Sequence, residues 1–283
     1  QYLSMGAALL TKVANPYLGQ IPASSSLGGS TIAQQQLLRA YPRFTTVALF
    51  RNNVGHSKYN ALTAKLEKRL SHGLAFTAAY TWSKLLDDAS TVFSQTIFTG
   101  PVLGTTGAAD AFNRHLERDV SSGDIPHVFS TGWTYEWRGW QMGGIVRIQA
   151  GDAVPVTQGT NNNSSLGYAV QRPNRIANPN DVENRSAGQW FNTAAFTNAP
   201  QFTIGNSSRN PVRGPGLQGA DLMVARTIRL RERLALDFRA EVFNVSNTPP
   251  LNDPNGIFGT AAFGTITTAQ NPRVFEIVTK VRF

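Results

Sequence analysis

The sequence contains no cysteine. Disulfides, thiolate zinc sites, iron–sulfur clusters and cysteine nucleophiles are therefore excluded. It is also poor in charge: only 15% of residues are Asp, Glu, Lys or Arg, against ~25% in ordinary soluble domains. No apolar run exceeds four residues, Val47-Ala48-Leu49-Phe50 being one. A spanning helix needs ~20 apolar residues and a signal-peptide core ~7–15, so neither is encoded. A β-strand crosses a bilayer with only ~9–11 residues, of which every second one must be apolar. The chain opens at Gln1 without methionine, which reads as a processed piece whose targeting signal lay upstream.

What is present favours strands and turns. Hydrophobic residues make up 41%, with 25 Gly and 15 Pro among 283 residues. The strongest signal is period-two alternation beside short turns. Leu62, Ala64, Leu66, Lys68 and Leu70 alternate with Thr63, Lys65, Glu67 and Arg69. After Ser71-His72-Gly73, the return segment carries Phe76, Ala78, Tyr80 and Trp82 on one face. The pattern recurs at 127–137 and 140–151 around Arg138-Gly139, at 219–229 and 234–244 with a turn near Arg231-Glu232, and at 273–283. Seven strands are predicted, near 58–70, 74–84 and these five ranges, with 1–57 mainly an extracellular loop holding at most a short helix around Thr31–Arg39.

The connections alternate in length. Short turns fall at 71–73, 138–139 and 229–233, and long links at 86–125, 152–218 and 245–272. Structureless loops above ~12–15 residues are rare in compact domains, whereas outer-membrane barrels pair short periplasmic turns with long extracellular loops. The fold class expected is all-β, the C-terminal part of a transmembrane antiparallel barrel, because seven is odd and bacterial barrels have even strand numbers. Lys65, Glu67, Arg69, Arg147, Asp237, Arg239 and Glu241 are the lumen-facing candidates. Trp82, Trp137, Trp140 and Phe283 fit an aromatic girdle at the membrane interfaces. Lys68 and Arg226 interrupt the apolar faces near short turns. Snorkelling to the headgroup layer is the preferred explanation, and a β-bulge that shifts the face is the alternative. Phe275, Ile277, Thr279, Val281 and Phe283 share one face of the last strand.

Several stretches resemble the barrel of Oar-like TonB-dependent outer-membrane transporters, whose members often carry a carboxypeptidase-regulatory-like domain. They include Tyr59-Asn60-Ala61-Leu62 through Leu74, Tyr80-Thr81-Trp82-Ser83-Lys84 and Asp87-Asp88-Ala89-Ser90. Others are Trp190-Phe191-Asn192-Thr193-Ala194-Ala195-Phe196, Arg213-Gly214-Pro215-Gly216, Arg239 to Asn247, and Asn271-Pro272-Arg273 to Phe283. The resemblance implies a barrel of the 22-strand class, a plug and an energy-coupling box upstream, and a C-terminal strand read by the barrel-assembly machinery. The plug and coupling box are not in this sequence, so contact with the TonB complex would come through missing upstream segments.

Other chemistry is poorly supported. Gly214-Pro215-Gly216-Leu217-Gln218-Gly219 matches G-x-G-x-x-G, but a loop precedes it and an alternating strand follows, where a dinucleotide site needs strand then helix. The acidic residues Asp87, Asp88, Asp110, Glu117, Asp119 and Asp124 match no EF-hand spacing and read as a solvated or self-paired loop. Asp124 and His127 are close enough in sequence to hydrogen-bond at a strand start. No catalytic constellation, cofactor motif or metal motif is found. The net charge of +9 is scattered along the chain, which argues against nucleic acid. The reading is an outer-membrane transporter fragment of a Gram-negative-type bacterium, in contact with membrane lipid and not an enzyme. The rivals are a passive porin-like or adhesive barrel and a secreted carbohydrate-binding β-sandwich.

Overall fold

The computed structural model describes residues 2–47, 55–88, 108–110, 113–231 and 234–283. The rest of the turn at Arg231-Glu232 and residues 89–107 and 111–112 of the first long link lie outside the described residues. Seven long strands form one antiparallel meander: β1 Ser57–Ser71, β2 Leu74–Asp87, β3 His127–Trp137, β4 Trp140–Gln149, β5 Leu217–Arg231, β6 Leu234–Phe243 and β7 Val274–Arg282. Each strand pairs only with its sequence neighbours, and Asp119–Val120 adds a short strand beside the end of β2. β2 and β5 run longer than their alternation alone suggested. Short backbone pairings at their loop ends, Leu86 with Val120 and Leu217 with Gln149, extend the ladders.

Two of the hairpins close on two-residue turns. His72 and Gly73 have φ of 53° and 78°, and Arg138 and Gly139 have 47° and 79°. Positive φ at both central positions is the type I′ turn, whose twist matches that of the flanking strands. At Gly73 a side chain would also collide with the Glu136 carbonyl, 2.4 Å from its Cβ position. This close approach follows from the Glu136 N–H donating to the Gly73 carbonyl at 2.8 Å, which ties the first turn to β3.

The register places the alternating residues on two continuous faces. One row on the apolar face runs Lys68, Phe76, Trp133, Gly144, Leu222, Val242, Phe275 across all seven strands. On the opposite face Lys65, Ala79, Ser130, Arg147 and Gly219 form another row. The apolar row starts three residues from the turn end of β1 and finishes at the loop end of β7. That stagger is what tilted strands in a barrel wall require. Lys68 and Arg226 both remain in register on the apolar face, opposite Phe76 and Trp140, and the register shifts come after them, at Lys68/Ser71 and Arg229/Arg231. The Lys68 ammonium reaches back to the Ser71 carbonyl at 3.1 Å.

The sheet has almost no buried core of its own. The buried apolar cluster lies in the long links instead: Val154, Val156, Phe191, Ala195, Phe196 and Val212, with Trp190, Phe258 and Phe263 packed against it. The links expected to be structureless thus form a compact cap at the loop end of the sheet. Phe191, Phe196, Phe258 and Phe263 meet edge to face at 5.0–6.0 Å between ring centroids. Small ladders knit the cap together: Ala153–Val154 with Val212–Arg213, Asn174–Arg175 with Phe196–Thr197, and Thr157–Gln158 parallel to Ile257–Phe258. The first segment holds a 3₁₀ stretch at Leu3–Leu10, a hairpin of Lys12–Ala14 and Thr31–Ala33, and one helical turn at Gln34–Leu37. It meets the cap where the Gln35 amide donates to the Ser165 carbonyl at 2.9 Å.

Candidate functional site

The cap is fastened to the wall by arginines. Arg172, Arg209 and Arg213 all come from the 152–218 link, and each meets a carboxylate at or beyond the loop end of β2: Glu117, Asp87 and Asp124 respectively. Arg209 and Asp87 are 3% and 5% exposed, and Arg172 and Glu117 are 4% and 3% exposed, so both pairs are withdrawn from water. Burial pulls the Arg209 guanidinium below its usual pKa. Arg209 uses one terminal nitrogen on Asp87, and its Nε and Nη1 are buried without a partner, whereas the other two arginines are better satisfied. Arg172 donates to the Leu116 carbonyl at 2.8 Å, Arg213 to the Asp124 carbonyl at 2.7 Å, and Glu117 accepts from the Ala109 N–H at 2.7 Å.

These contacts settle where the acidic residues of the first link go. Asp88 pairs with Arg114 at 3.1 Å, and Asp119 accepts from the Asn210 N–H at 2.8 Å. The carboxylates are paired, but chiefly with a different link. Asp124 turns to Arg213 and the Leu85 N–H, while His127 meets the Tyr80 hydroxyl at 2.8 Å. Among the described residues no group of three or more acidic or histidine side chains is placed to hold a metal ion. The G-x-G-x-x-G run has no helix after it. A Cβ on Gly151 would lie 1.9 Å from the Gly214 carbonyl oxygen, so this glycine permits close contact between the two chain segments entering β5 and leaving β4.

Asp152 and Asp253 meet beside Gly214, with carboxylate oxygens 2.9 and 2.4 Å from its Cβ position. Burial, the Asp152 charge and a hydrogen bond shared with Asp152 push the Asp253 carboxyl up to about 7. The pair joins the roots of the second and third long links. At the same end, a cavity of about 640 Å³ opens between β5, β6 and β7, lined by Leu217, Asp221, Phe243, Asn244, Gln270 and Val274 among others. Its size lies in the range of small-molecule sites, ~300–1,000 Å³. The Asn244 N–H donates to Asp221 at 2.9 Å, which fixes the chain as it leaves β6 with Asn244 at φ 53°.

The residues singled out in the sequence fall as follows. Lys65 and Glu67 on β1, Arg147 on β4, and Asp237, Arg239 and Glu241 on β6 all lie on the polar face, while Arg69 falls in the register shift before the first turn. Lys65 pairs with Glu67 at 2.9 Å, and Arg282 with Asp237 at 2.6 Å. Trp137 and Trp140 are register partners, Trp82 lies toward the loop end of β2, and Phe283 is fully exposed after β7. Phe275, Ile277, Thr279 and Val281 share the apolar face of β7. The docking role of the three cap arginines and the cavity were not visible in the sequence, although Arg213 lies in one of the resembling stretches. The Trp190 to Phe196 motif was, and it supplies part of the cap core, with the Trp190 ring N–H donating to the Arg213 carbonyl at 2.7 Å.

Two outcomes follow. Arg209→Met leaves Asp87 buried without a counter-ion and costs about 3–5 kcal/mol; the double variant R209M/D87L recovers most of it, as read by urea unfolding with Trp fluorescence. For Asp253, a folded pKa above the unfolded one means that stability is complete below pH ~4 and is lost as pH rises toward 7. The cap is therefore more resistant to limited proteolysis at pH 5 than at pH 8. Asp253→Asn removes that pH dependence and gains about 1 kcal/mol at pH 8, a value reduced for solvent screening at a half-open site.

No curated protein matches the chain. The family described as outer membrane beta barrel domain matches residues 6–276, nearly the whole sequence. Its match spans the first six wall strands, the start of β7 and the cap links. The chain belongs to this outer membrane beta barrel family, and its place is the outer membrane of a Gram-negative bacterium.

Proposed function

We infer that this chain supplies part of the wall and the outer cap of a TonB-dependent transporter of the Oar-like type, which takes up a solute across the outer membrane. The cavity at the loop end of the polar face carries the reading. It is walled by β5, β6 and β7 and edged by the last long link, and the long links at that end form a cap with its own hydrophobic core. A passive pore has little use for packed outer links, whereas a receptor needs ordered loops to capture solute.

In this reading the apolar face meets lipid and the polar face lines the lumen, with Lys65, Glu67, Arg147, Asp237, Arg239 and Glu241 hydrated there. Trp82, Trp137, Trp140 and Phe283 sit at the interfaces, where amphipathic rings are favoured. The outer edges of β1 and β7 have no ladder partner among the described residues. Backbone groups cannot stay unpaired in lipid, so further strands complete the wall. β1 and β7 are the first and last of seven alternating strands and run the same way. An odd number of added strands is therefore needed for an antiparallel closure. The plug, the contact with the TonB complex and the energy input come from segments outside this chain, and β7 through Phe283 engages the barrel-assembly machinery.

The test compares solute depletion from spent medium by cells with and without the gene, before and after a protonophore. An energy-coupled transporter gives a difference that vanishes when the proton gradient collapses. A difference that survives the protonophore would favour the porin-like alternative.

A further inference from the structure

At the turn end of the apolar face, β3, β4 and β5 bring two tryptophans and two arginines together. Trp137 and Trp140 are cross-strand partners on either side of the Arg138-Gly139 turn. The Arg138 guanidinium lies over the Trp137 ring at 5.2 Å from its centroid. Arg226 is the register partner of Trp140 on β5, and its guanidinium lies 4.9 Å from that ring's centroid. The result is a contiguous cluster in which two cations bracket a tryptophan pair.

These arginines differ from those that fasten the cap and from the paired ones on the polar face. Arg172, Arg209, Arg213, Arg239 and Arg282 each meet a carboxylate, whereas neither Arg138 nor Arg226 has one among the described residues. The carboxylates nearest in sequence and register do not serve. Glu136 and Asp237 lie on the opposite face, and Asp237 is occupied by Arg282 and the Thr227 hydroxyl. Around Arg226 the apolar face presents Val224, Ile228, Met142 and Phe238. A guanidinium in such surroundings is costly without a counter-ion. Among the described residues the protein supplies none, and lipid phosphates at headgroup depth fill that role.

We propose that Arg138, Arg226 and the Trp137–Trp140 pair form a binding site for the phosphate of an anionic glycerophospholipid in the leaflet beside the short turns. The proposal rests on the reading that this face meets lipid. Guanidinium forks match phosphate oxygens in a bidentate manner. The tryptophan rings settle at the headgroup boundary and hold both forks at that depth. Two unpaired cations discriminate against an ethanolamine or choline headgroup, whose own ammonium they repel, and in favour of a headgroup with net negative charge.

The test uses the complete protein, with the strands that close the wall, purified in neutral detergent and examined by native mass spectrometry. Phosphatidylglycerol is the probe, phosphatidylcholine the zwitterionic control and inorganic phosphate the soluble anion. Phosphatidylglycerol is retained on the order of tenfold more tightly than phosphatidylcholine. R138Q/R226Q abolishes that preference, and R138K/R226K, which keeps the charge, restores part of it. Equal retention of both lipids by the unaltered protein, or an unchanged preference in R138Q/R226Q, overturns the site. So does complete displacement of the lipid by millimolar inorganic phosphate, which would mark a simple anion site. Reconstitution into phosphatidylcholine vesicles separates the two levels of the argument. Failure to insert overturns the lipid-facing assignment itself, while insertion without anionic preference overturns only the lipid site.

Discussion

Everything in the wall follows from one constraint: a backbone N–H or C=O facing hydrocarbon has no water to bond, and each unsatisfied group costs several kcal/mol. Seven strands with continuous ladders meet that requirement between β1 and β7. The type I′ turns at His72-Gly73 and Arg138-Gly139 keep neighbouring strands in contact to their ends. With the ladders fixed, a period of two along each strand leaves side chains only two destinations. The wall therefore needs no internal core, and the exposed apolar face of a soluble protein's nightmare becomes the surface that solvates it in lipid.

The cap obeys the opposite rule. It lies outside the hydrocarbon and must bury its own apolar residues to be ordered, which Phe191, Phe196, Phe258 and Phe263 accomplish. Hydrophobic contact is not directional, so it does not by itself seat the cap on the strands. The buried pairs Arg209–Asp87 and Arg172–Glu117 do, because an arginine withdrawn from water tolerates only one docked position. The Asp152–Asp253 pair at Gly214 works against this docking at neutral pH, since two carboxylates there cannot both ionise cheaply. The two effects give the roots of the links a defined position with a built-in sensitivity to protons.

The wall was legible in the sequence because its information is local. Leu62 to Leu70 announce a face within a few residues, and Gly73 and Gly139 announce the turns. Lys68 and Arg226 broke the pattern without breaking the strand, since the register shifts fall beyond them. The cap was illegible for the complementary reason. Asp87 and Arg209 are 122 residues apart in the chain, and no periodicity links Val154, Phe191 and Phe258. Gly, Asn and Pro in the links signalled irregular backbone correctly, but irregular backbone is compatible with a packed core once Gln158, Gln171 and Asn163 donate to the carbonyls inside it, as they do to Ala199 and Thr203. The cavity combines both kinds of information, strand residues such as Phe243 and link residues such as Gln270, and only the folded chain brings them together.

The absence of cysteine gives the central claim a clean test. Single cysteines placed at each position from Leu236 to Glu241 would be exposed to a membrane-impermeant maleimide in outer-membrane vesicles opened at both faces. The account predicts a period of two: Asp237→Cys, Arg239→Cys and Glu241→Cys react from the aqueous lumen, while Leu236→Cys, Phe238→Cys and Ala240→Cys are shielded by lipid. Reaction without alternation along β6, or protection of the charged positions and labelling of the apolar ones, would contradict it.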